Sequence, residues 1–147
     1  MVNMLFKKST EYALKVLSLM ARESQDKFFG TKELSERINV SSTYLSKILQ
    51  KLQHAGFVTS TTGPGGGFCM GSLTADKKIS DVVRALENDE LFTSCALGMS
   101  VCGHDNPCPL HEKWAIFRNE IQEYMETVTI KDSSENFWPA FDRIAKN

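Results

Sequence analysis

Residues 41–69 read SSTYLSKILQKLQHAGFVTSTTGPGGGFC, and two different periodicities meet inside this stretch. In its first half Leu45, Ile48, Leu49 and Leu52 recur at three- and four-residue spacing, which lines one face of a helix with apolar side chains. Ser41 or Ser42 can cap its start, and Gly56 marks its end, because glycine accepts the left-handed backbone that closes a helix. Thr43, Ser46, Lys47, Gln50 and His54 fall opposite the leucines, within about 100° of arc at 3.6 residues per turn. A face that is polar, small at its N-terminal end and rich in donors suits a helix that enters the major groove of DNA. In the second half Phe57–Thr61 and Gly67–Leu73 read as short strands around the glycine-rich connection at 63–67. A phosphate-cradling loop is excluded, because the glycine run lacks the GK[ST] ending and no βαβ pattern surrounds it.

Upstream, Ala13, Val16, Leu17 and Met20 repeat the helical spacing and predict a helix over 9–23, with Ser9 or Thr10 as cap. The run TKELSERI predicts a second helix over 32–38, ended by Asn39. Two helices joined by a tight connection and followed at once by a hairpin make a winged helix-turn-helix. The expected class is therefore mainly α with a small β-hairpin, carrying a further long helix downstream.

Beyond the wing, Ile79, Val82, Val83 and Leu86 predict a short helix capped by Ser80. It leads to residues 93–111, TSCALGMSVCGHDNPCPLH, in which Cys95, Cys102 and Cys108 lie six or seven residues apart while Gly98, Gly103, Pro107 and Pro109 keep the chain turning. Three clustered thiols point to a metal, and three ligands leave one position for a different donor. Cys69 stands apart and reads as a strand residue. Then Leu110, Trp114, Phe117, Ile121, Tyr124 and Val128 alternate at spacings of four and three, an apolar seam over nearly three heptads that wants a partner. Phe137, Trp138, Phe141 and Ile144 suggest a short docking helix in the tail.

The chain has 147 residues and 41% hydrophobic content, enough for a core. Its net charge of −1 hides an asymmetry. Residues 1–60 hold nine Lys/Arg against five acids, and the remainder eight against thirteen, so the N-terminal part is the one suited to a polyanion. No apolar run of membrane-spanning or signal-peptide character is present, which makes a cytoplasmic address the expectation. Four cysteines, three of them clustered, suit a metal site in a reducing compartment better than a disulfide framework. No nucleophile–base–acid set accompanies His54, His104 or His111, so the chain is not expected to be an enzyme.

Five motifs in order, STEYALKVL, STYLSKILQKLQHAGFV, GPGGGF, ISDVVRALE and the three-cysteine loop, resemble the Rrf-two family of bacterial winged-helix transcription regulators over about residues 4–130. That family includes the iron-sulfur regulator IscR and the nitric-oxide sensor NsrR. The resemblance implies a homodimer that binds a pseudo-palindromic operator on double-stranded DNA and holds one iron-sulfur cluster per chain, 2Fe-2S or 4Fe-4S, whose state controls promoter binding. It implies DNA contacts from Ser42, Thr43, Tyr44, Ser46, Lys47, Gln50 and Lys51, and from Thr62, Gly65 and Gly66 of the wing. It also implies dimer pairing along the Leu110–Val128 seam. Cys95, Cys102 and Cys108 would hold the cluster with either Glu11 from the partner chain, the slightly favoured choice, or His111 from the same chain.

The sequence departs from the family where many relatives carry arginines flanking the wing glycines, since Thr61, Thr62 and Cys69 stand there instead. The organisation expected is a DNA-binding domain over 1–75, a connecting helix and cluster loop over 76–109, and a dimerisation helix with tail over 110–147. Two rival readings share the same cysteines: a constitutive DNA-binding module with a structural Cys3His zinc site, and a cluster-free thiol switch.

Overall fold

The computed structural model describes residues 5–99, 103 and 105–135. Helix α1 (Lys8–Glu23), α2 (Thr31–Ile38) and α3 (Ser42–His54) are followed by strands β1 (Thr59–Thr61) and β2 (Gly67–Cys69). Helices α4 (Ser72–Ala75), α5 (Ile79–Glu87), α6 (Glu90–Thr93) and α7 (His111–Thr127) complete the order. The architecture is the expected one, mostly helical with one two-stranded antiparallel sheet. No helix among the described residues is long and apolar enough to cross a membrane.

The core forms where three apolar stripes meet. Val16, Leu17 and Met20 of α1, Leu34 and Ile38 of α2, and Leu45, Ile48, Leu49 and Leu52 of α3 are all essentially inaccessible, with Phe29, Phe57, Val58 and Met70 closing the edges. Each such side chain contributes about 1.5–3 kcal/mol by leaving water. Ser41 caps α3, its Oγ accepting from the Tyr44 N–H at 3.2 Å, and Asn39 closes α2 in the left-handed conformation.

The wing is anchored. Thr59 pairs with Cys69, Ser60 with Phe68 and Thr61 with Gly67, while Phe68 makes a further antiparallel bridge to Phe29 in the α1–α2 connection, with N···O distances of 2.8 and 2.9 Å. That bridge needs a glycine beside it. A Cβ on Gly67, whose φ is +140°, would stand 2.2 Å from the Phe29 carbonyl oxygen.

Several local expectations are corrected. Helix α1 begins at Lys8, and neither Ser9 nor Thr10 caps it; the Lys7 N–H donates instead to the buried Glu87 carboxylate at 2.7 Å, a partner eighty residues away. Ser80 is buried within α5, whose first turn is closed by Asp81 accepting from the Lys78 N–H at 2.9 Å. The strands are shorter than expected: Phe57 and Val58 turn into the core before β1, and Ser72 starts α4. Helix α6 has no periodic signal because it is only four residues long.

After α7 the chain returns to the core. Thr129 pairs with Lys78, and Thr129 and Asp132 exchange reciprocal capping hydrogen bonds at 3.1 and 3.0 Å that start helical residues 130–135. Ile130 is fully buried there. Phe137, Trp138, Phe141 and Ile144 lie outside the described residues.

Gly67→Ala is expected to break the Phe29–Phe68 bridge and destabilise the chain by about 2–4 kcal/mol, from strain plus two lost hydrogen bonds. Gly65→Ala, at φ +75° with open space around it, is expected to cost only about 1 kcal/mol. Urea unfolding of the two variants measures the contrast.

Candidate functional site

Helix α3 presents Ser42, Thr43, Lys47, Gln50, Lys51 and His54 to solvent, with Ser46 half-covered. Its leucine stripe fixes which face that is. Tyr44 differs from the others: it is half-buried and meets Tyr12 of α1 edge to face, with ring centroids 5.9 Å apart. It therefore helps seat the start of α3 on α1. At the wing tip Thr62 and Gly65 are exposed and Gly66 is half-buried. A turn closes at Gly63–Gly66, with N···O 3.0 Å, and there is no room for a Cβ at Gly66. The exposed groups of α3 and the wing carry hydroxyl, amide and ammonium donors, which suits phosphate and base edges.

The cysteine loop is built from both of its ends. Cys95 is buried and Cys108 half-buried, and their Sγ atoms lie 3.6 Å apart with both cysteines reduced. Two thiolates each about 2.3 Å from a single tetrahedral ion stand about 3.8 Å apart, so this spacing fits a pair sharing one metal atom. The Leu97 N–H donates to Cys95 Sγ at 3.4 Å. His111 is buried, and its N–H closes a turn on the Cys108 carbonyl at 3.0 Å, which places the imidazole-bearing residue at the first position of α7 directly after the cysteine. Cys102 and His104 lie outside the described residues. Among the described residues no three His, Cys, Asp or Glu side chains group closely enough to hold a metal ion.

Glu11 is engaged elsewhere. Its carboxylate pairs with Lys15 at 2.8 Å and Lys8 at 3.1 Å, and the hydrogen bond from Lys15, aided by that from Lys8, holds its pKa below the ordinary value. Lys15 also lies 5.2 Å over the Tyr12 ring, so Glu11 belongs to the side-chain group that seats α3.

The seam on α7 divides in two. Trp114, Ile121 and Val128 are half-buried, and Ile121 packs with buried Met125 against Val83 of α5 and Phe92 of α6. Leu110, Phe117 and Tyr124, with Ile116, remain 49–68% exposed and form a stripe one heptad apart. Arg84 clamps the inner side: Nε donates to Asp89 at 2.9 Å and Nη2 to Glu126 at 2.7 Å, and its guanidinium covers Phe92. Glu126 and Asp89 raise the Arg84 pKa, and Arg84 lowers that of Glu126.

Three contacts were not foreseeable from periodicity. Trp114 Nε1 donates to the Ser94 carbonyl at 2.8 Å, and Arg118 Nη1 donates to the carbonyls of Thr93 and Ser94, each at 3.0 Å. Trp114 carried a signal only as part of the seam, and Arg118 carried none.

Known proteins place this geometry. The Rrf2 profile, described as iron-dependent transcriptional regulator, matches residues 6–136. An HTH-type transcriptional regulator of Neisseria meningitidis serogroup A is 31% identical over 124 residues, which is 84% of this chain and 83% of that protein. The HTH-type transcriptional regulator IscR of Vibrio atlanticus is 29% identical over 119 residues, covering 81% of this chain and 68% of its own length. Among solved structures, CymR, the global cysteine regulator of B. subtilis, superposes with a TM-score of 0.72 at 22% identity, covering 92% of this chain and 98% of that one.

Because the Glu11 pKa is depressed by folding, the stabilisation it supplies is present above the ordinary carboxylate range and lost as pH falls through the lowered value. The urea stability gap between the wild type and Glu11→Gln is expected at neutral pH, to close on acidification and to shrink at high salt, because the pair is partly solvated.

Proposed function

From the premise that this chain belongs to the Rrf2 family of transcriptional regulators, which are DNA-binding proteins and not enzymes, we propose that it is a homodimeric iron-sulfur sensor controlling a promoter. The observation that carries this reading is the Cys95–Cys108 pair at 3.6 Å, followed within one turn by buried His111.

In this reading Cys95, Cys102, Cys108 and His111 would hold an iron-sulfur cluster, with His111 as the non-thiolate ligand. The 3.6 Å spacing supports two thiolates on a single metal atom, and the position of His111 supports an intrachain fourth ligand. Glu11, favoured on the resemblance, is less suited here because ligation would cost it both lysine partners. When bound, the cluster supplies an iron whose non-thiolate ligand exchanges more readily than the thiolates, with nitric oxide or oxygen as the entering group.

The rest is done by the protein's own residues. Cys95 and Cys108, held together, keep the loop closed between α6 and α7. The exposed stripe Leu110, Phe117 and Tyr124 pairs with its counterpart in a second copy, which sets the separation of the two α3 helices on a pseudo-palindromic operator. Release of the cysteines loosens the start of α7 and shifts that separation, so promoter binding changes by population shift. The division into a DNA-binding domain over 1–75, a sensing loop by 109 and a dimer helix beyond follows this order of tasks.

A second reading has support in the same pair. Two thiols 3.6 Å apart can form a disulfide by exchange with an oxidised low-molecular-weight thiol, which leaves as two reduced thiols. The likeness in fold to a cysteine regulator accords with that chemistry.

Anaerobic purification separates the readings. The sensor is expected to be coloured, with two irons and two sulfides per chain; His111→Ala is expected to give a labile or spectrally altered cluster while Glu11→Ala leaves it unchanged. Colourless protein with one zinc per chain would leave the structural-site reading, and metal-free protein the thiol switch.

On operator DNA, Lys47→Ala is expected to weaken binding and reduce the salt slope by about one, as loss of one phosphate contact does. Fluorescence anisotropy across a salt series measures it.

A further inference from the structure

We propose that Trp114 and Arg118 are positioning residues for the metal-binding thiolate pair, a role that rests on the metal-holding reading above. Cys95 and Cys108 are thirteen residues apart in sequence, yet one helix holds both of their flanks. On one side, α7 begins at His111, whose N–H turns back onto the Cys108 carbonyl at 3.0 Å. On the other, Trp114 and Arg118, one turn apart on the same helix, hold the carbonyls of Thr93 and Ser94, the two residues immediately before Cys95.

Those carbonyls need an external donor. Helix α6 spans only Glu90–Thr93, too short to persist on its own, and its last carbonyls have no intrahelical partner. Ser94 is already extended, at φ −70° and ψ 147°, so the chain changes direction at this point. Arg118 bridges both carbonyls from one guanidinium nitrogen and brings a positive charge to a helix C-terminus, where it is favoured. The indole N–H adds a third hydrogen bond at 2.8 Å. The direction in which Cys95 enters the loop is therefore set from α7, as is that of Cys108, and the 3.6 Å thiol separation follows from the rigidity of a single helix.

The same arrangement makes α7 the element that registers the state of the loop. Its inner side grips the residues before Cys95 and its outer side carries the exposed stripe at Leu110, Phe117 and Tyr124.

The test uses the full-length apo chain, reduced and anaerobic, titrated with Cd(II) and followed by thiolate-to-cadmium charge transfer. Arg118→Ala is expected to weaken Cd(II) about tenfold or more, the usual effect of removing a residue that orients metal ligands. Arg118→Lys, which keeps one donor without the planar fork, is expected to recover part of the affinity, and Trp114→Phe to fall between. Melting temperatures of the apo variants, compared alongside, separate loss of positioning from loss of fold; if Arg118→Ala melts early, Arg118→Lys and Trp114→Phe decide. Wild-type Cd(II) affinity in folded Arg118→Ala and Trp114→Phe overturns the proposal. Iron and sulfide counts on each anaerobic preparation as isolated, before its metal is stripped for the Cd(II) titration, keep the two readings apart, because a chain isolated without iron that still loses Cd(II) on Arg118→Ala sustains the positioning role and refutes the cluster.

Discussion

Helix α1 has to bury almost every side chain between Ala13 and Met20 that is not charged or aromatic, and the rest of the chain is arranged around that demand. One helix alone cannot do this, so α2, α3 and α5 all pack against it. The reading helix and the helix that leads to the cysteines thus share a single support. The N-terminal end of α1 is fixed in turn by Glu87 of α5, which takes the Lys7 N–H, and by the Lys7–Glu90 pair with α6 at 3.0 Å. The exposed ion pair contributes little stability in water, but the buried carboxylate would be costly without its donor.

This layout gives a short physical route between the cysteine loop and the exposed polar face of α3. Thr93 and Ser94 precede Cys95, Glu90 at the start of the same short helix meets Lys7, and Tyr12, five residues further along, meets Tyr44 at the start of α3. A second route runs along α7 to its exposed stripe at Leu110, Phe117 and Tyr124. Both begin at α6, a four-residue helix with little stability of its own, which suits a switch element. The two-sided character of α7 suits this: its inner apolar residues fasten it to α5 and α6, and its outer ones are left for another surface.

Much of the fold was legible because it is periodic. The Leu45–Leu52 stripe fixed α3 and its polar face together, and the glycines after Thr62 marked the connection between the strands, whereas the close approach of Gly67 to Phe29 appears only in the fold. What escaped reading depends on partners distant in sequence. No local pattern announces that Glu87 will cap α1, that Ile130 will return to the core, or that Trp114 will spend its indole N–H on Ser94. The apolar seam on α7 was visible, but one-dimensional spacing does not say which of its residues face inward, and Trp114, Ile121 and Val128 do. Glu11 is a different case, since Lys8 and Lys15 stand three and four residues away on the same helix, a spacing visible in the sequence, while the family resemblance pointed to a ligand instead.

The proposed function requires a coupling between the loop thiols and DNA. The most direct measurement is the operator Kd of one anaerobic preparation at a single fixed salt concentration, before and after removal of whatever metal the loop holds. A change of at least about fivefold is expected, the lower end of ordinary allosteric coupling. An unchanged Kd, with metal loss verified on the same sample, would contradict it.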